Sequence, residues 1–450
     1  MLTIQFGQCG NQLGHDLFSK VSTDLESLNT GVSYGVNYEY TENTIEKWFD
    51  GITERGQHFA RTILVDTEEK VVNKICKDAK ASWTYRISNV VCQSGGGCAN
   101  NWAYGYKINS QRLSNIVLNI TRQEIEKLDR FQGFLLLLSS AGGTGSGVGS
   151  RMVEILREEY ETKSIVAAIV LPFTFGEVCT QNYNTILTLA EFSDRADFSV
   201  LFENQQMHTM STSLLKNPNT ILYDINNIIS ENLLAAFQPT NNARYDMNFL
   251  ISKIAAHPNF RFVTIKSTPH VSATCLQYEP THKWDVYIRH LKQTLRISKS
   301  QTELTNVQLK TPNPILGKTD ASRMYSPCLS NILVTRGKSV ENDTVILEDL
   351  QTRHLYPEWI TLESFTHLHQ ERKFLNRDKF LALITNNSEI HRPLEAYLDK
   401  AWNYYKSAAF LHQYKQFGLE EDDFLEAFAK VENIVQEYKN LKSYGVYARP

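Results

Sequence analysis

The stretch FLLLLSSAGGTGSGVGSRMVEILREEY, Phe134–Tyr160, decides the fold. Phe134–Leu138 is a continuous apolar run of strand length. Ser139–Gly149 follows, with five glycines among small hydroxyl residues. From Val148 the apolar positions Val148, Met152, Val153, Leu156 and Tyr160 recur at helical spacing. The reading is a buried strand, a glycine-rich turn and a helix. Such a turn points backbone N–H groups outward at a helix N-terminus, where the dipole adds positive potential, so phosphate is the natural ligand. An ordinary strand–helix turn also uses glycine. Gly142, Gly143, Gly145 and Gly147, interleaved with Thr144 and Ser146, exceed that need and favour phosphate. No Lys-Ser or Lys-Thr pair closes the turn, so it is not a P-loop. Nor is it a dinucleotide fingerprint, which belongs at the first strand of its unit.

A chain of 450 residues exceeds one ordinary core, and two or three domains are expected. The formal charge of −3 gives no reason to expect nucleic acid or a membrane surface as partner. The longest apolar runs, Phe134–Leu138 and Ile165–Leu171, fall far short of a span, so no membrane insertion is expected. The opening MLTIQFGQCG lacks a signal-peptide pattern. Seven cysteines without a C-x-x-C pair suggest a reducing cytosol, with no disulfide framework and no zinc ribbon.

Further strand–loop–helix units flank the central one. Thr3–Phe6 leads into GQCGNQLG, Gly7–Gly14, read as a loop before a helix carrying Leu13, Leu17, Val21, Leu25 and Leu28. Ile63–Val65 ends in Asp66-Thr67-Glu68, where carboxylates can hold magnesium directly or through water. SGGGCANNWAYGY, Ser94–Tyr106, is a loop able to wrap a terminal phosphate. A helix is predicted over Arg112–Phe131, with Leu113, Ile116, Val117, Ile120, Ile125 and Leu128 inward. Ile165–Leu171 and Phe198–Glu203 are strands, the latter followed at once by Asn204. DINNIISENLLAAF, Asp224–Phe237, is apolar nearly all round and reads as a buried helix. Functional loops after strand C-terminal ends obey the crevice rule of open α/β sheets. Beyond these units, Gln301–Tyr325 reads as an exposed loop, Phe380–Ile384 as a strand, and Pro393–Tyr405 and Glu420–Leu441 as helices.

Several of these segments resemble the tubulin family. AGGTGSG at Ala141–Gly147 is similar to its signature GGGTGSG, and Gly7–Gln12 matches GQCGNQ in full. The NNWA of Asn100–Ala103 matches its third loop, although Cys98 interrupts the family's glycines and Tyr104 replaces a basic residue. AFLHQYKQFGLEEDDFLEA, Ala409–Ala427, resembles the stretch joining its last two helices. The resemblance implies an α/β fold: a Rossmann-type GTP-binding domain over 1–206, a smaller α/β domain over 207–387 containing the core helix 224–237, and C-terminal helices over 388–450. It implies GTP or GDP with Mg2+. Gln8, Cys9, Ser139, Gly142, Gly143, Thr144, Gly145 and Asn100 would lie at the phosphates and sugar, Gln12 near the base, and Glu177 at the ribose. Asn204 and Asn226 would hydrogen-bond guanine, and Glu68 would stand near the metal. Leu222 occupies the place of the family's base-stacking ring, with Tyr223 beside it as a substitute after a local shift.

Within the family, IQFGQCGNQLG, NNWAYGY and QNYN look most like δ members, which belong to centrioles and basal bodies; ε and η forms are the alternatives. The chain ends NLKSYGVYARP, without the acidic tail of α and β members. An α-type catalytic glutamate is replaced by Phe249, with Asp246 the nearest carboxylate. Two readings follow: a GTP-binding structural protein of the cytoplasmic cytoskeleton, partnered by tubulin-family subunits, microtubules and centriole or basal-body components, or a self-assembling GTPase that forms filaments.

Overall fold

The computed structural model describes residues 1–27, 32–77, 82–92, 96–174, 178–242, 245–271, 283–296, 325–338, 347–375 and 377–442. Glu177, Leu28 and 301–324 lie outside these. In chain order the strands are β1 (Leu2–Phe6), β2 (Phe49–Ile52), β3 (His58–Ala60), β4 (Thr62–Asp66), β5 (Trp83–Thr84), β6 (Val90–Cys92), β7 (Gly133–Ser139), β8 (Ser164–Leu171), β9 (Phe198–Glu203), β10 (Phe262–Thr268), β11 (Cys328–Gly337), β12 (Phe365–Gln370) and β13 (Lys379–Asn387). Strands β2, β3 and β5 form a small separate sheet.

The remaining ten strands form one sheet in the order β12-β11-β13-β10-β9-β8-β7-β1-β4-β6. From β6 to β10 every pairing is parallel; β13 alone runs against its neighbours. The sheet crosses residue 206 without a break, because β10 pairs with β9 through Phe262↔Ser199 and Val263↔Val200.

Why the central strands are unbroken apolar runs follows from the layering. Successive side chains of a strand point to opposite faces, and both faces of this sheet are covered. On β7, Phe134, Leu136 and Leu138 enter one core and Leu135 and Leu137 the other. Strand β8 divides the same way, with Ile165, Ala167 and Ile169 opposite Val166, Ala168 and Val170. The first core lies under helices Ser110–Glu126, Gly149–Glu159, Gln181–Arg195, His391–Lys406 and Glu421–Asn440. The second lies under helices Gly7–Glu26 and Leu222–Phe237.

The predicted helix over Arg112–Phe131 is Ser110–Glu126, and its inward face differs from the expectation. Ile116 is exposed, while Leu113, Val117 and Thr121 are buried. The helical repeat from Leu113 runs through the polar Thr121, so following apolar residues alone misplaces the stripe. Among the described residues, no helix is long and apolar enough to cross a membrane.

Candidate functional site

At the C-terminal ends of β1, β4, β7, β8 and β9 lies a cavity of about 310 Å³. Its walls include Gln8, Cys9, Gln12, Glu68, Asn100, Ser139, Gly142, Gly143, Thr144, Gly145, Asn204 and Asn226. These are the candidates read from the sequence, apart from Glu177, which lies outside the described residues, and Asp246, which lines another cavity. The position is the crevice where strand order reverses about β1.

The first wall is not the loop that the sequence suggested. The helix begins at Gly7 itself, so GQCGNQLG forms its first two turns and Gln8, Cys9 and Gln12 are helical. Gly7 has φ +69, and a Cβ there would stand 2.9 Å from the Gly145 nitrogen. Only glycine serves both the left-handed turn and this approach. Gly7, Gln8 and Cys9 of that first turn line the cavity, at the positive end of the helix dipole.

The glycine run needs a corrected explanation. A Cβ on Gly143 would lie 2.4 Å from the Cys98 Cβ; on Gly145, 2.9 Å from the Ser139 carbonyl; on Gly147, 2.3 Å from the Trp102 carbonyl. Three of the four glycines are therefore required by packing against protein. Gly142 alone faces open space, its nearest neighbour being Asn100 Oδ1 at 3.7 Å. The run brings two wide turns, Thr144–Val148 and Tyr104–Asn109, into contact. Amide groups of the glycine turn are thereby fixed at the cavity wall.

The third wall achieves a similar bend without glycine. Ala99 (φ 48) and Asn100 (φ 52) are both left-handed. Such residues cost about 1 kcal/mol or more each and persist where their surroundings hold them. Here the holder is Asn184, fully buried on the helix after β8. Its Nδ2 donates to the carbonyls of Asn100 and Ala141, both at 2.8 Å. Its Oδ1 accepts from the Trp102 N–H at 3.1 Å and the Tyr414 hydroxyl at 2.6 Å. Thr180 donates to the same Asn100 carbonyl at 2.9 Å. Sequence reasoning quoted Asn184 within QNYN but gave it no role; only the convergence of two loops and the C-terminal segment reveals one. That segment reaches in again through Asn101 Nδ2, which donates to the Gln413 carbonyl at 3.0 Å.

The acidic triplet divides its labour. Asp66 is buried; its Oδ1 accepts from the Thr67 N–H and its Oδ2 from Asn11 Nδ2. Burial pushes its carboxyl up to about 6, against the opposing pull of these hydrogen bonds. Thr67 and Thr144 share a hydroxyl–hydroxyl bond of 2.7 Å, joining the acidic turn to the glycine turn. Cys98, whose sulfur accepts from Asn109 at 3.0 Å, also accepts from Thr144 at 3.4 Å. Glu68 is exposed and lines the cavity. Among the described residues, no cluster of three or more His, Cys, Asp or Glu could hold a metal alone. One free carboxylate beside a buried one suits a cation that keeps waters and takes phosphate oxygens, as magnesium does.

At the far end stand Asn204, the first residue of helix Asn204–Ser213, and Asn226, on the first turns of helix Leu222–Phe237. Leu222 lines this end. Tyr223 lines an adjoining open depression of about 730 Å³ with Phe173, His208 and Ile221, and Leu222 borders both spaces.

Asp246 and Phe249 occupy the opposite end of the sheet. They line a cavity of about 750 Å³ with Met1 and Gln132, beside the N-terminal ends of β1 and β7. Asp246 caps its helix: Oδ1 accepts from the Phe249 N–H at 2.9 Å, and Oδ2 pairs with Arg130 at 3.0 Å.

Residues 1–212 match the model of the Tubulin/FtsZ family, GTPase domain. The chain is 34% identical to the human tubulin delta chain, covering 98% of this chain and 100% of that protein. It is 33% identical to the mouse tubulin delta chain over 98% and 99% of the two chains. It is 27% identical to the tubulin gamma chain of Saccharomyces cerevisiae over 97% and 92%.

Proposed function

The chain belongs to the tubulin family, and from that premise we propose a guanine-nucleotide-binding structural protein that works with α/β-tubulin in building or maintaining centrioles and basal bodies. The observation that carries the nucleotide reading is the convergence of three turns on one cavity: the first turn after Gly7, Ala99–Asn100 and Gly142–Gly145. Their backbone amides suit an anion, and the two asparagines at the other end suit a base edge with both donors and acceptors.

Each group then has a task. Thr144 and the glycine amides hold phosphate oxygens. Glu68, with Asp66 behind it, would hold Mg2+ through water and phosphate; the ion would offset phosphate charge. Asn204 and Asn226 read the base, and Gln12 packs beside it. The centriolar assignment rests on the resemblance of the motifs to δ members, and the cytoskeletal location on the family.

Turnover by the chain alone is expected to be slow. In head-to-tail stacking the end carrying Phe249 would meet a neighbour's nucleotide, and a phenyl ring cannot polarise water. Asp246 is the one carboxylate one turn away, and both its oxygens are engaged. A well-placed general base is worth about 10²–10⁴-fold. If phosphate release rises steeply with protein concentration and Asp246→Ala abolishes it, the self-assembling GTPase reading replaces this one. Calorimetric titration with GTP and ATP tests the site itself. GTP should bind and ATP should not compete; Asn226→Asp should weaken GTP. Equal competition by ATP would overturn the base assignment.

A further inference from the structure

Strand β8 ends at Leu171, and Pro172–Thr174 follows outside any strand or helix. Such a segment has no regular neighbour for its carbonyls, so other donors must supply them. Here all three carbonyls accept from side chains. Tyr397 Oη donates to that of Pro172 at 2.6 Å, and Gln181 Nε2 to that of Phe173 at 2.8 Å. Lys400 Nζ donates to that of Thr174. Gln181 opens helix Gln181–Arg195. Tyr397 and Lys400 lie one turn apart on helix His391–Lys406, 225 and 226 residues beyond the carbonyls they hold. Gln181 and Tyr397 are buried, so water competes little for their bonds.

The segment stands at a particular place. Strand β8 lies between β7, which ends at Ser139, and β9, which ends at Glu203 beside Asn204. Neighbouring strands are about 4.8 Å apart. A nucleotide with its phosphates at Thr144 and its base at Asn204 therefore crosses the end of β8 with its sugar. Pro172 lines the cavity there, while Phe173 lines the adjoining depression, so the segment stands between the two spaces. A carbonyl released from its donor lets the segment shift toward the depression, and the sugar loses its wall. Resting on the nucleotide reading given above, we propose that Tyr397, Gln181 and Lys400 are positioning residues: they hold this wall against the sugar and so set how fast a bound nucleotide leaves.

The test loads the full chain with radiolabelled GTP and Mg2+ and follows its release into an excess of unlabelled GTP. Tyr397→Phe and Lys400→Met each remove one donor and keep the bulk of the side chain, and Tyr397→Phe changes no charge. Each should speed release by about 3- to 10-fold, the worth of one hydrogen bond. Tripolyphosphate has no sugar and reaches only the phosphate end, which is held by other bonds. Its dissociation constant should stay within about twofold of wild type in Tyr397→Phe. A purely structural role would weaken GTP and tripolyphosphate together, and that result would overturn the proposal. Wild-type release rates in both variants would overturn it as well. Should the buried Tyr397→Phe fail to fold, Lys400→Met, at a partly exposed position, carries the test by its release rate. If the unmodified chain binds neither GTP nor tripolyphosphate, the nucleotide reading itself is wrong and the proposal falls with it.

Discussion

The two ends of the proposed nucleotide cavity are built on different principles. At the phosphate end, loops from three parts of the chain are tied to one another by Asn184, by the Thr67–Thr144 bond and by glycines that leave no gap. At the base end, Ile221, Leu222 and Tyr223 are 62%, 46% and 58% exposed, and the cavity opens beside a wide depression. Backbone amides bind well only if held, because the chain cannot reorient them after the anion arrives. A base can be read by two side chains on helices that are rigid for other reasons. One end is thus preorganised by its neighbours, and the other is left open around a pair of asparagines.

The strongest way to break this contrast is Asn184→Ala. Two carbonyls, one N–H and one hydroxyl would lose a buried partner, a loss on the order of 3 kcal/mol or more. Denaturant unfolding should register it, and GTP affinity should fall by about 100-fold; affinity within threefold of wild type would show that the phosphate end holds without Asn184. Next come the paired glycines. Gly143→Ala must displace Cys98 and should destabilise the fold by about 1–3 kcal/mol. Gly142→Ala has room, so it should leave unfolding unchanged and weaken only nucleotide binding. If both variants unfold alike, the division of the glycines into packing and cavity roles fails.

The base end can be loosened by acid. His270 lies in the small cavity behind helix Asn204–Ser213, and burial lowers its pKa to about 4. A base with a lowered folded pKa contributes stability that is complete above its unfolded value near 6.5 and is lost as pH falls toward 4. Stability should drop by about 1 kcal/mol per pH unit in that window, and less in His270→Gln; an unchanged slope in the variant would remove His270 from the account. Thr144→Val deletes the hydroxyl that bonds Thr67 and Cys98 and should weaken GTP by about fivefold, or about 1 kcal/mol. The smallest change is Leu222→Tyr, which supplies a stacking ring where none exists. It should tighten GTP by about threefold, within the usual worth of aromatic contacts.

Much of the fold was legible because it repeats one physical rule. Apolar runs such as Phe134–Leu138 declare strands buried on both faces, and glycine turns after them declare the crevice. The glycines themselves were misjudged: their number reflects contacts with Cys98, Ser139 and Trp102, partners distant in sequence. Ala99 and Asn100 gave no sign of left-handed backbone, since nothing local requires it. Asn184 was silent for the same reason, as it acts through residues that only the folded chain brings near. The start of the first helix at Gly7 was hidden because a glycine-rich segment reads as loop whichever side of the helix boundary it occupies.

Three contacts set an order of events. Tyr414 bonds to Asn184, Gln413 to Asn101, and the Ala409 carbonyl accepts from Tyr183, so the phosphate end is finished by residues 226 to 312 positions further along. A ribosome adding ~5–20 residues per second needs on the order of 10–60 s to cover those distances. Through that interval the emerging chain has strands, glycine turns and both asparagines, but lacks the last ties that lock its amides. Under the proposed reading, nucleotide capture is scheduled late, near the completion of synthesis, and truncated products are denied a finished site.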